Sequence, residues 1–388
     1  MTPRGSRRIL TTHAGSLPRP AALVDLYTRR AAGETIDEAL LAAEGAAATA
    51  RVVELQRAAG VDIPSDGEQM REAFFLYVQR RMSGFGGRWQ RPSGRELADY
   101  PEFAEARRQM LASRRAVSNF EPPMAVGPVS YTGASANAAE LAAFSSALAA
   151  HGDAFADAFM TAPSPGIVAM AMKNAHYTSF ADYLAALADA LRVEYRAAID
   201  AGFLLQIDAP DLALERHITY ADRPVKEFVA FVESVIGEIN RVLAGIPRER
   251  VRLHVCWGNY ESPHDRDVPL REIAGAILKA NVGAFMLPFA NPRHAHEIDV
   301  FRDLPLAADQ TLIVGVIDTT SNYLEHPEVV AERLERAARA IGDPSRVQAG
   351  TDCGFDTSAG MGRVAPDVVW AKLRALRQGT DLAAQRLL

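Results

Sequence analysis

The sequence predicts an α/β protein folded as one (β/α)8 barrel, the TIM-barrel architecture, with a long insertion between strands 2 and 3. Eight short apolar runs alternate with longer Ala, Leu, Arg and Glu segments of helical period. This alternation is typical of βα units around a parallel sheet, and eight such units close a barrel. No G-x-G-x-x-G turn follows the first run, which disfavours a doubly wound sheet as the alternative.

The predicted strands are short runs spread along the whole chain. In order, they are centred near Leu10, Ile63, Met160, Ile207, Val255, Phe285, Val314 and Thr351. The segments between them have the composition of helices. The helix after the seventh strand is predicted to stop at Gly342, because glycine readily adopts the conformation that ends helices.

The stretch from about 85 to 157 interrupts this rhythm. It contains a glycine- and arginine-rich segment, a polar helix, an extra strand and an Ala-rich helix. We predict that it is an insertion between the second and third barrel strands, and long excursions of this kind usually cover the site of a barrel. With this lid, residues 1–388 are predicted to form a single domain.

Composition and charge exclude several classes of function. Of 388 residues, 48% are hydrophobic, 7% aromatic and 23% charged, as expected of an enzyme with a large core. The formal net charge of −6 disfavours nucleic acid as a partner, because phosphate contacts need concentrated Lys and Arg. No apolar run reaches the roughly 18 residues that span a bilayer, and no signal-peptide core is visible. The sequence therefore predicts a cytoplasmic protein, and its oligomeric state stays open.

Polar residues gather at the predicted carboxyl ends of the strands, where barrels build their active sites. They are His13, Ser16, Asp66, Glu68, Ser164, Gln206, Asp208, His254, Cys256, Asn259, Asp352 and Cys353. One aspartate at such a position is as often the N-cap of the next helix, which is the alternative for Asp208. The convergence of many polar strand ends predicts an active site.

Two of these stretches hold the only cysteines of the chain. Side chains at i and i+2 of a strand face the same side, so His254 and Cys256 can both point to the barrel axis. Cys353 ends the eighth strand and can complete a Cys2His set, whose soft ligands suit zinc rather than magnesium or calcium. Three protein ligands leave one position open, as in catalytic sites. The alternative is two unrelated buried cysteines that act as small hydrophobes.

Seven stretches between about residues 9 and 362 resemble the motifs of one enzyme family. They are TTHAGSLPRP, DGEQMR, APSPG, LQIDAPDLA, LHVCWGN, ANPRHAHE and TDCGF. The resemblance is to the cobalamin-independent methionine synthase family, in particular its short single-barrel branch, which includes the epoxyalkane:coenzyme M transferases. It implies that His254, Cys256 and Cys353 bind a Zn2+ ion that activates a thiol for attack on an alkyl carbon.

One position departs from the pattern of that family. Its methionine synthases add a glutamate ligand just before the A-N-P-R-like residues, and Pro288 stands at that place in this chain. The resemblance then implies a three-ligand site whose fourth position is taken by water or by the substrate thiol, as in the coenzyme M enzymes.

The resemblance also implies contacts to the substrate. In the methionine synthases a serine, a glutamate and an aspartate hold the ammonium and carboxylate groups of the amino acid, and the matching residues are Ser16, Glu68 and Asp208. Asn259 is a further candidate for substrate binding. The usual Q-I-D-E-P reads QIDAP here, so the match is partial. The leaving group needs a proton or charge stabilisation, for which His13 and Asp208 are the catalytic candidates.

Together these features predict a zinc-dependent S-alkyltransferase. The preferred interpretation is transfer of a methyl group, from folate or another donor, to a thiol such as homocysteine. One alternative adds a small thiol such as coenzyme M to an epoxide or another activated carbon, and another is a non-catalytic barrel that binds a ligand. A decarboxylase of the broader fold group is disfavoured, because it needs no metal.

Overall fold

The computed structural model describes residues 8–388, and six of its strands form one parallel sheet. The strands of the sheet follow one another in chain order, from β3 to β8. Two earlier strands pair with each other as a separate antiparallel ribbon. The bounds are β1 Met82–Gly86, β2 Met124–Tyr131, β3 Phe159–Pro163, β4 Leu204–Asp208, β5 Val251–His254, β6 Ala284–Pro288, β7 Thr311–Ile317 and β8 Val347–Thr351.

Two irregular segments close the parallel sheet into a ring. Thr11 forms a parallel bridge with Ala349 in β8, and Ser65 forms one with Phe159 in β3. The two segments are joined to each other because the amide of Ile63 donates to the carbonyl oxygen of Thr11 at 3.0 Å. Backbone hydrogen bonds therefore link the two irregular segments and strands β3 to β8 into a closed ring of eight. The predicted (β/α)8 barrel is confirmed.

In the described part of the chain, helices lie around this ring and at its mouth. They are α1 Ala21–Ala31, α2 Glu38–Ala59, α3 Glu96–Asp99, α4 Pro101–Ala112, α5 Ala134–Ala149, α6 Pro165–Ala171, α7 Phe180–Asp200, α8 Asp211–Leu214, α9 Val225–Val242, α10 Leu270–Ile277, α11 Pro327–Ile341 and α12 Pro366–Leu387. As predicted, α11 stops at Gly342, whose φ of 78° is left-handed. Among residues 8–388, none of the helices has the length and apolarity to cross a membrane.

The segment between the second barrel strand and β3 contains two kinds of structure. Helix α5 contacts α2 and α7, so it occupies the position of the second helix in the outer ring. The ribbon of β1 and β2, with α3 and α4 between its strands, is additional to the βα repeat. Side chains from residues 91–120 line the cavity at the barrel mouth, so this part of the insertion covers it.

The side chain of Arg252 fills the barrel interior on the face that also presents His254. Its guanidinium donates to Thr12 Oγ1 and to the carbonyl oxygen of His13, both at 3.0 Å. It also lies 3.5 Å from the centre of the Phe159 ring. Burial lowers the pKa of Arg252 to about 9. The inward side of β5 is therefore polar, and it leads directly to the cysteine loop.

Candidate active site

A cavity of about 200 Å³ opens at the carboxyl ends of the barrel strands. The lid supplies part of its wall, including Glu96 and Arg107. Seven of the eight predicted site residues lie in the same wall, and only His13 does not: Ser16, Glu68, Asp208, His254, Cys256, Asn259 and Cys353. The structure therefore brings the predicted metal ligands and substrate contacts to one cavity.

The three predicted metal ligands converge at the wall of this cavity. The ligand atoms of His254, Cys256 and Cys353 lie within 4.8 Å of one another, and all three side chains are buried. The two sulfur atoms are 3.8 Å apart, much farther than the about 2.05 Å of a disulfide. Two thiolates bound to one tetrahedral zinc, at about 2.3 Å each, would be separated by about 3.8 Å. The donor set and its spacing fit a zinc ion.

Asp208 fixes the orientation of His254. Its Oδ1 accepts from His254 Nδ1 at 3.0 Å and from Gln206 Nε2 at 2.7 Å. Nε2 is then the ring nitrogen that can bind a metal, and a carboxylate behind a ligand histidine holds the tautomer that metal binding needs. The carboxylate of Asp208 thus supports the histidine through Oδ1, and its predicted catalytic and substrate-binding roles stay predictions.

The same contacts prepare the cysteines to bind a metal as thiolates. Burial alone would lower the pKa of His254, but its contacts with Asp208 and Cys256 raise it to about 10. Without metal, the pKa of Cys256 is held well below its usual range, first by the hydrogen bond with Cys353 and then by His254. The hydrogen bond with Cys256, and then burial, raise the pKa of Cys353 well above its usual range. Thiolates, rather than thiols, bind metal ions.

His13 is placed away from the cavity, which contradicts its predicted catalytic role. Its Nε2 is 2.7 Å from Gln56 Oε1, and its Nδ1 accepts from the amide of Gly15 at 3.1 Å. Gln56 donates its amide to two carbonyl oxygens, so its Oε1 can only accept. Burial lowers the pKa of His13 to about 3. Both ring nitrogens are engaged within the protein, so His13 is a neutral structural residue.

Ser16 and Glu68 present buried polar atoms without partners. Among the described residues, Ser16 Oγ and Glu68 Oε2 have no hydrogen-bond partner, whereas Glu68 Oε1 accepts from Thr161 Oγ1 at 3.1 Å. A buried polar atom without a partner costs about 1–3 kcal/mol. Burial, and then the charge of Asp208, raise the pKa of Glu68 to about 8. A ligand with hydrogen-bond donors and a positive charge would satisfy both atoms.

The backbone of Glu68 is itself unusual, with a φ of 57°. A residue other than glycine rarely adopts this conformation, and such strain is concentrated at functional sites. Arg19 holds the strained turn, because its Nη2 donates to the carbonyl oxygen of Glu68 at 2.8 Å and its Nε donates to that of Arg71 at 3.0 Å. Arg71 is in turn paired with Glu140 at 2.7 Å.

Sequence reasoning missed these supporting residues, although a signal was present. Arg19 and Arg71 stand inside two of the stretches that carry the family resemblance, SLPRP and DGEQMR. Their partners come from distant parts of the chain, and Glu140 is 69 residues from Arg71.

Asn259 lines the cavity, but its amide group is used to connect loops. Its Nδ2 donates to the carbonyl oxygen of Gly354 at 2.6 Å, and its Oδ1 accepts from Thr319 Oγ1 at 2.9 Å. These bonds join the loops that follow β5, β7 and β8, which include both cysteines. Asn259 therefore supports the cysteine loops, and because its amide keeps a second N–H and a second lone pair, its substrate-binding role stays a prediction.

In the described part of the chain, no carboxylate joins the metal group at the position where the family resemblance predicts a glutamate and Pro288 stands. Among residues 8–388, the group that could hold a metal contains only the one histidine and two cysteines. Glu297 lies in the 3-10 helix Ala295–Arg302, where its Oε1 accepts from the amide of Leu270 at 2.7 Å. Both oxygens of Asp352 accept from backbone amides of the loop after β6. The three-ligand arrangement is consistent with an open fourth position.

The chain is similar to curated archaeal proteins named methionine synthase. The one from Sulfurisphaera tokodaii is 25% identical over 379 residues, which are 97% of this chain and 93% of the relative. The one from Thermococcus kodakarensis is 24% identical over 348 residues, which are 89% of this chain and 86% of the relative. No family model matches the chain.

Two solved structures share the fold over nearly the whole length. A B12-independent methionine synthase from Shewanella sp. W3-18-1, in complex with selenomethionine, matches with a TM-score of 0.70 and 21% identity, covering 98% of this chain and 99% of that one. A putative vitamin-B12 independent methionine synthase from Listeria monocytogenes matches with a TM-score of 0.64 and 21% identity, covering 97% and 99%. The resemblance to the cobalamin-independent methionine synthase family that the motifs predict is thereby confirmed.

Proposed function

We propose that this protein is a zinc-dependent methyltransferase that transfers a methyl group to the thiol of homocysteine. One observation carries the proposal: Ser16 and Glu68, each with a buried polar atom that has no partner, line the same cavity as the group of His254, Cys256 and Cys353. A thiol amino acid is the class of ligand that matches both parts. The curated relatives named methionine synthase support the same reaction.

Different residues of the cavity would bind the thiol end and the amino-acid end of such a substrate. A bound zinc ion would deprotonate the substrate thiol by coordination, which maintains a sulfur nucleophile at neutral pH. Glu68 would accept the ammonium group and Ser16 would hydrogen-bond the amino-acid end, so that the sulfur is held beside the cysteines. Asp208 keeps His254 in the required orientation. The thiolate then forms a bond to the methyl carbon as the bond between carbon and leaving group breaks.

The electrostatics of the inner cavity favour homocysteine over a sulfonate thiol such as coenzyme M. Glu68 lies close enough to Asp208 for the charge of Asp208 to raise its pKa. A sulfonate at this end would face two acidic groups, whereas an ammonium group would be attracted by both. The coenzyme M alternative therefore requires the thiol to bind in another part of the cavity.

The proposal is tested by product analysis with the zinc-loaded full chain. The methyl donors are 5-methyltetrahydrofolate, methylcobalamin and iodomethane, each offered in a separate reaction. With at least one of them, we expect the zinc-loaded chain to form methionine from homocysteine faster than the metal-free chain does. A parallel reaction contains 2-mercaptoethanesulfonate and epoxypropane. Faster formation of the sulfonate thioether would favour the coenzyme M alternative. If neither thiol gave a zinc-dependent product, the result would favour the alternative of a non-catalytic barrel that binds a ligand.

A further inference from the structure

A second group of titratable residues lies beside the cavity, and the functions assigned above do not use it. Tyr260 lines the same cavity wall as Cys256. Its hydroxyl is 2.5 Å from Nε2 of the buried His217, whose Nδ1 makes an ion-pair contact of 3.0 Å with Asp267 Oδ1. These three residues therefore form a continuous chain from the cavity into the protein.

Asp267 is the centre of this chain. Its second oxygen, Oδ2, is 2.9 Å from His264 Nδ1 and 2.8 Å from His294 Nε2. Burial opposes ionisation, but the contacts with His217, His264 and His294 hold the pKa of Asp267 well below its usual range. One carboxylate therefore faces three imidazoles, and the cluster can carry a proton next to a permanent negative charge.

The hydroxyl of Tyr260 has one contact on each side, His217 Nε2 at 2.5 Å and Glu96 Oε1 at 3.3 Å. When His217 is neutral, its Nδ1–H faces Asp267 and its Nε2 accepts the hydroxyl proton of Tyr260. When His217 is an imidazolium, its Nε2–H donates to the tyrosine oxygen, and the hydroxyl of Tyr260 donates to Glu96 Oε1 at 3.3 Å. The Tyr260 hydroxyl therefore keeps a partner whichever way its proton points, while His217 Nδ1 and Asp267 Oδ1 stay 3.0 Å apart as an ion-pair contact rather than a hydrogen bond.

We propose that Tyr260 is the proton donor to the leaving group of the methyl donor, and that His217 and Asp267 restore its proton. The proposal rests on the methyltransferase function proposed above. It also narrows the donor class, because a neutral tertiary N-methyl amine leaves as a strong base that must be protonated, whereas the leaving groups of a sulfonium ion or a methylated corrinoid need no proton.

The step balances in atoms and electrons. The homocysteine sulfur uses its electron pair to bond the methyl carbon, the bond between that carbon and the amine nitrogen breaks, and the nitrogen takes the hydroxyl proton of Tyr260. The tyrosinate regains a proton from His217 Nε2. The proton lost by the homocysteine thiol passes to solvent, and one proton re-enters the cluster around Asp267, whose His264 is partly exposed, so one thiol hydrogen is exchanged for one methyl group.

The other candidate acids are engaged elsewhere, except that Glu96, which also lines the cavity, accepts from Tyr260 at Oε1 and keeps its Oε2 without a partner. His13 has both nitrogens engaged, and Asp208 holds His254. Glu68 faces the cavity, but it is the proposed partner of the substrate ammonium. Besides Glu96 and His217, the charged or titratable groups against Tyr260 are His264, stacked at 4.8 Å between ring centres, and Arg107, whose guanidinium is 5.4 Å from the ring.

The test compares two methyl donors with the zinc-loaded full chain and homocysteine. One donor is 5-methyltetrahydrofolate, whose leaving nitrogen needs a proton, and the other is iodomethane, whose leaving iodide does not. We expect Tyr260→Phe to lower the rate with the amine donor by about 10²- to 10⁴-fold, the usual contribution of a general acid. Its rate with iodomethane should stay within about twofold of the wild type, since the sulfur nucleophile is unchanged.

Two further variants sharpen this comparison. Tyr100→Phe removes a hydroxyl on the lid that bonds Asp265 at 3.0 Å, outside the cavity wall, and it should match the wild type with both donors. His217→Gln should reproduce the selective loss seen for Tyr260→Phe, whereas a residue that only supports the loop would slow both donors equally.

Each remaining outcome is decisive. Equal losses with both donors, or no loss with the amine donor, would overturn the role of Tyr260. A wild-type enzyme that accepts a methyl group from iodomethane or methylcobalamin but not from the amine would overturn it as well, while the methyltransferase function would stand. A wild-type enzyme with no zinc-dependent alkylation of homocysteine by any of these donors would contradict both proposals.

Discussion

Replacing Cys353 by serine is expected to remove most of the bound zinc and to abolish thiol alkylation while the barrel stays folded. Cys353 contributes one of two sulfurs that lie 3.8 Å apart, and a serine hydroxyl is not a thiolate at neutral pH. Binding of zinc by a complete ligand set is worth about 10–16 kcal/mol, so the loss of one ligand should weaken it by about 3–4 kcal/mol, or ~10²- to 10³-fold.

The fold should survive because other contacts hold this loop. Thr351 Oγ1 donates to the backbone oxygen of Cys353 at 2.8 Å, and Asn259 bonds the next residue, Gly354. The measurement is zinc content with circular dichroism and urea unfolding, and chelator-treated wild type is the control. Unchanged zinc content in Cys353→Ser would contradict the assigned site. Unfolding of both samples would instead show that the metal is structural.

Replacing Glu68 by glutamine should weaken the use of homocysteine far more than the use of the same thiol without its amino group. A hydrogen bond to a charged group is worth about 1.5–3 kcal/mol, so we expect kcat/KM for homocysteine to fall about 10- to 100-fold. The matched control substrate is 4-mercaptobutanoate, alkylated by iodomethane in the same variant. Equal losses for both thiols would show that Glu68 does not recognise an ammonium group.

The same substitution makes a prediction about stability and pH. The folded-state pKa of Glu68, about 8, lies above its ordinary value of 4.5. Between these values the folded, ligand-free chain keeps a proton that the unfolded chain releases, so this residue makes the wild type less stable as the pH rises. Glutamine does not titrate. The free energy of unfolding of Glu68→Gln minus that of the wild type should therefore increase from pH 4.5 to 8, and a constant difference would contradict the buried, unpaired carboxyl.

The parallel strands were predictable because they are short, buried and apolar, and β3 to β8 lie within the runs that the sequence indicates. The first two positions of the barrel are not regular strands. The amide of Thr11 donates to Asp62 Oδ2 at 2.9 Å, so a side chain replaces part of the ladder there. Periodicity does not reveal such a contact. Cys256 also lies beyond the end of β5, yet it still converges with His254.

The positions of the site residues were more predictable than their roles. Spacing and resemblance indicated the metal group together with Ser16 and Glu68. The roles of His13 and Asn259 depend on partners that are far away in sequence, such as Gln56, 43 residues from His13. The sequence pattern does not indicate the cluster around Asp267, because its three histidines come from different parts of the chain and meet only in the folded protein.

The most direct test of the central claim is zinc-edge X-ray absorption of the purified protein, with and without homocysteine. We expect one zinc ion per chain, bound by the imidazole of His254 and the two cysteine sulfurs, with a third sulfur ligand when homocysteine is added. The absence of zinc, or a sulfur count that homocysteine does not change, would contradict thiol activation at His254, Cys256 and Cys353.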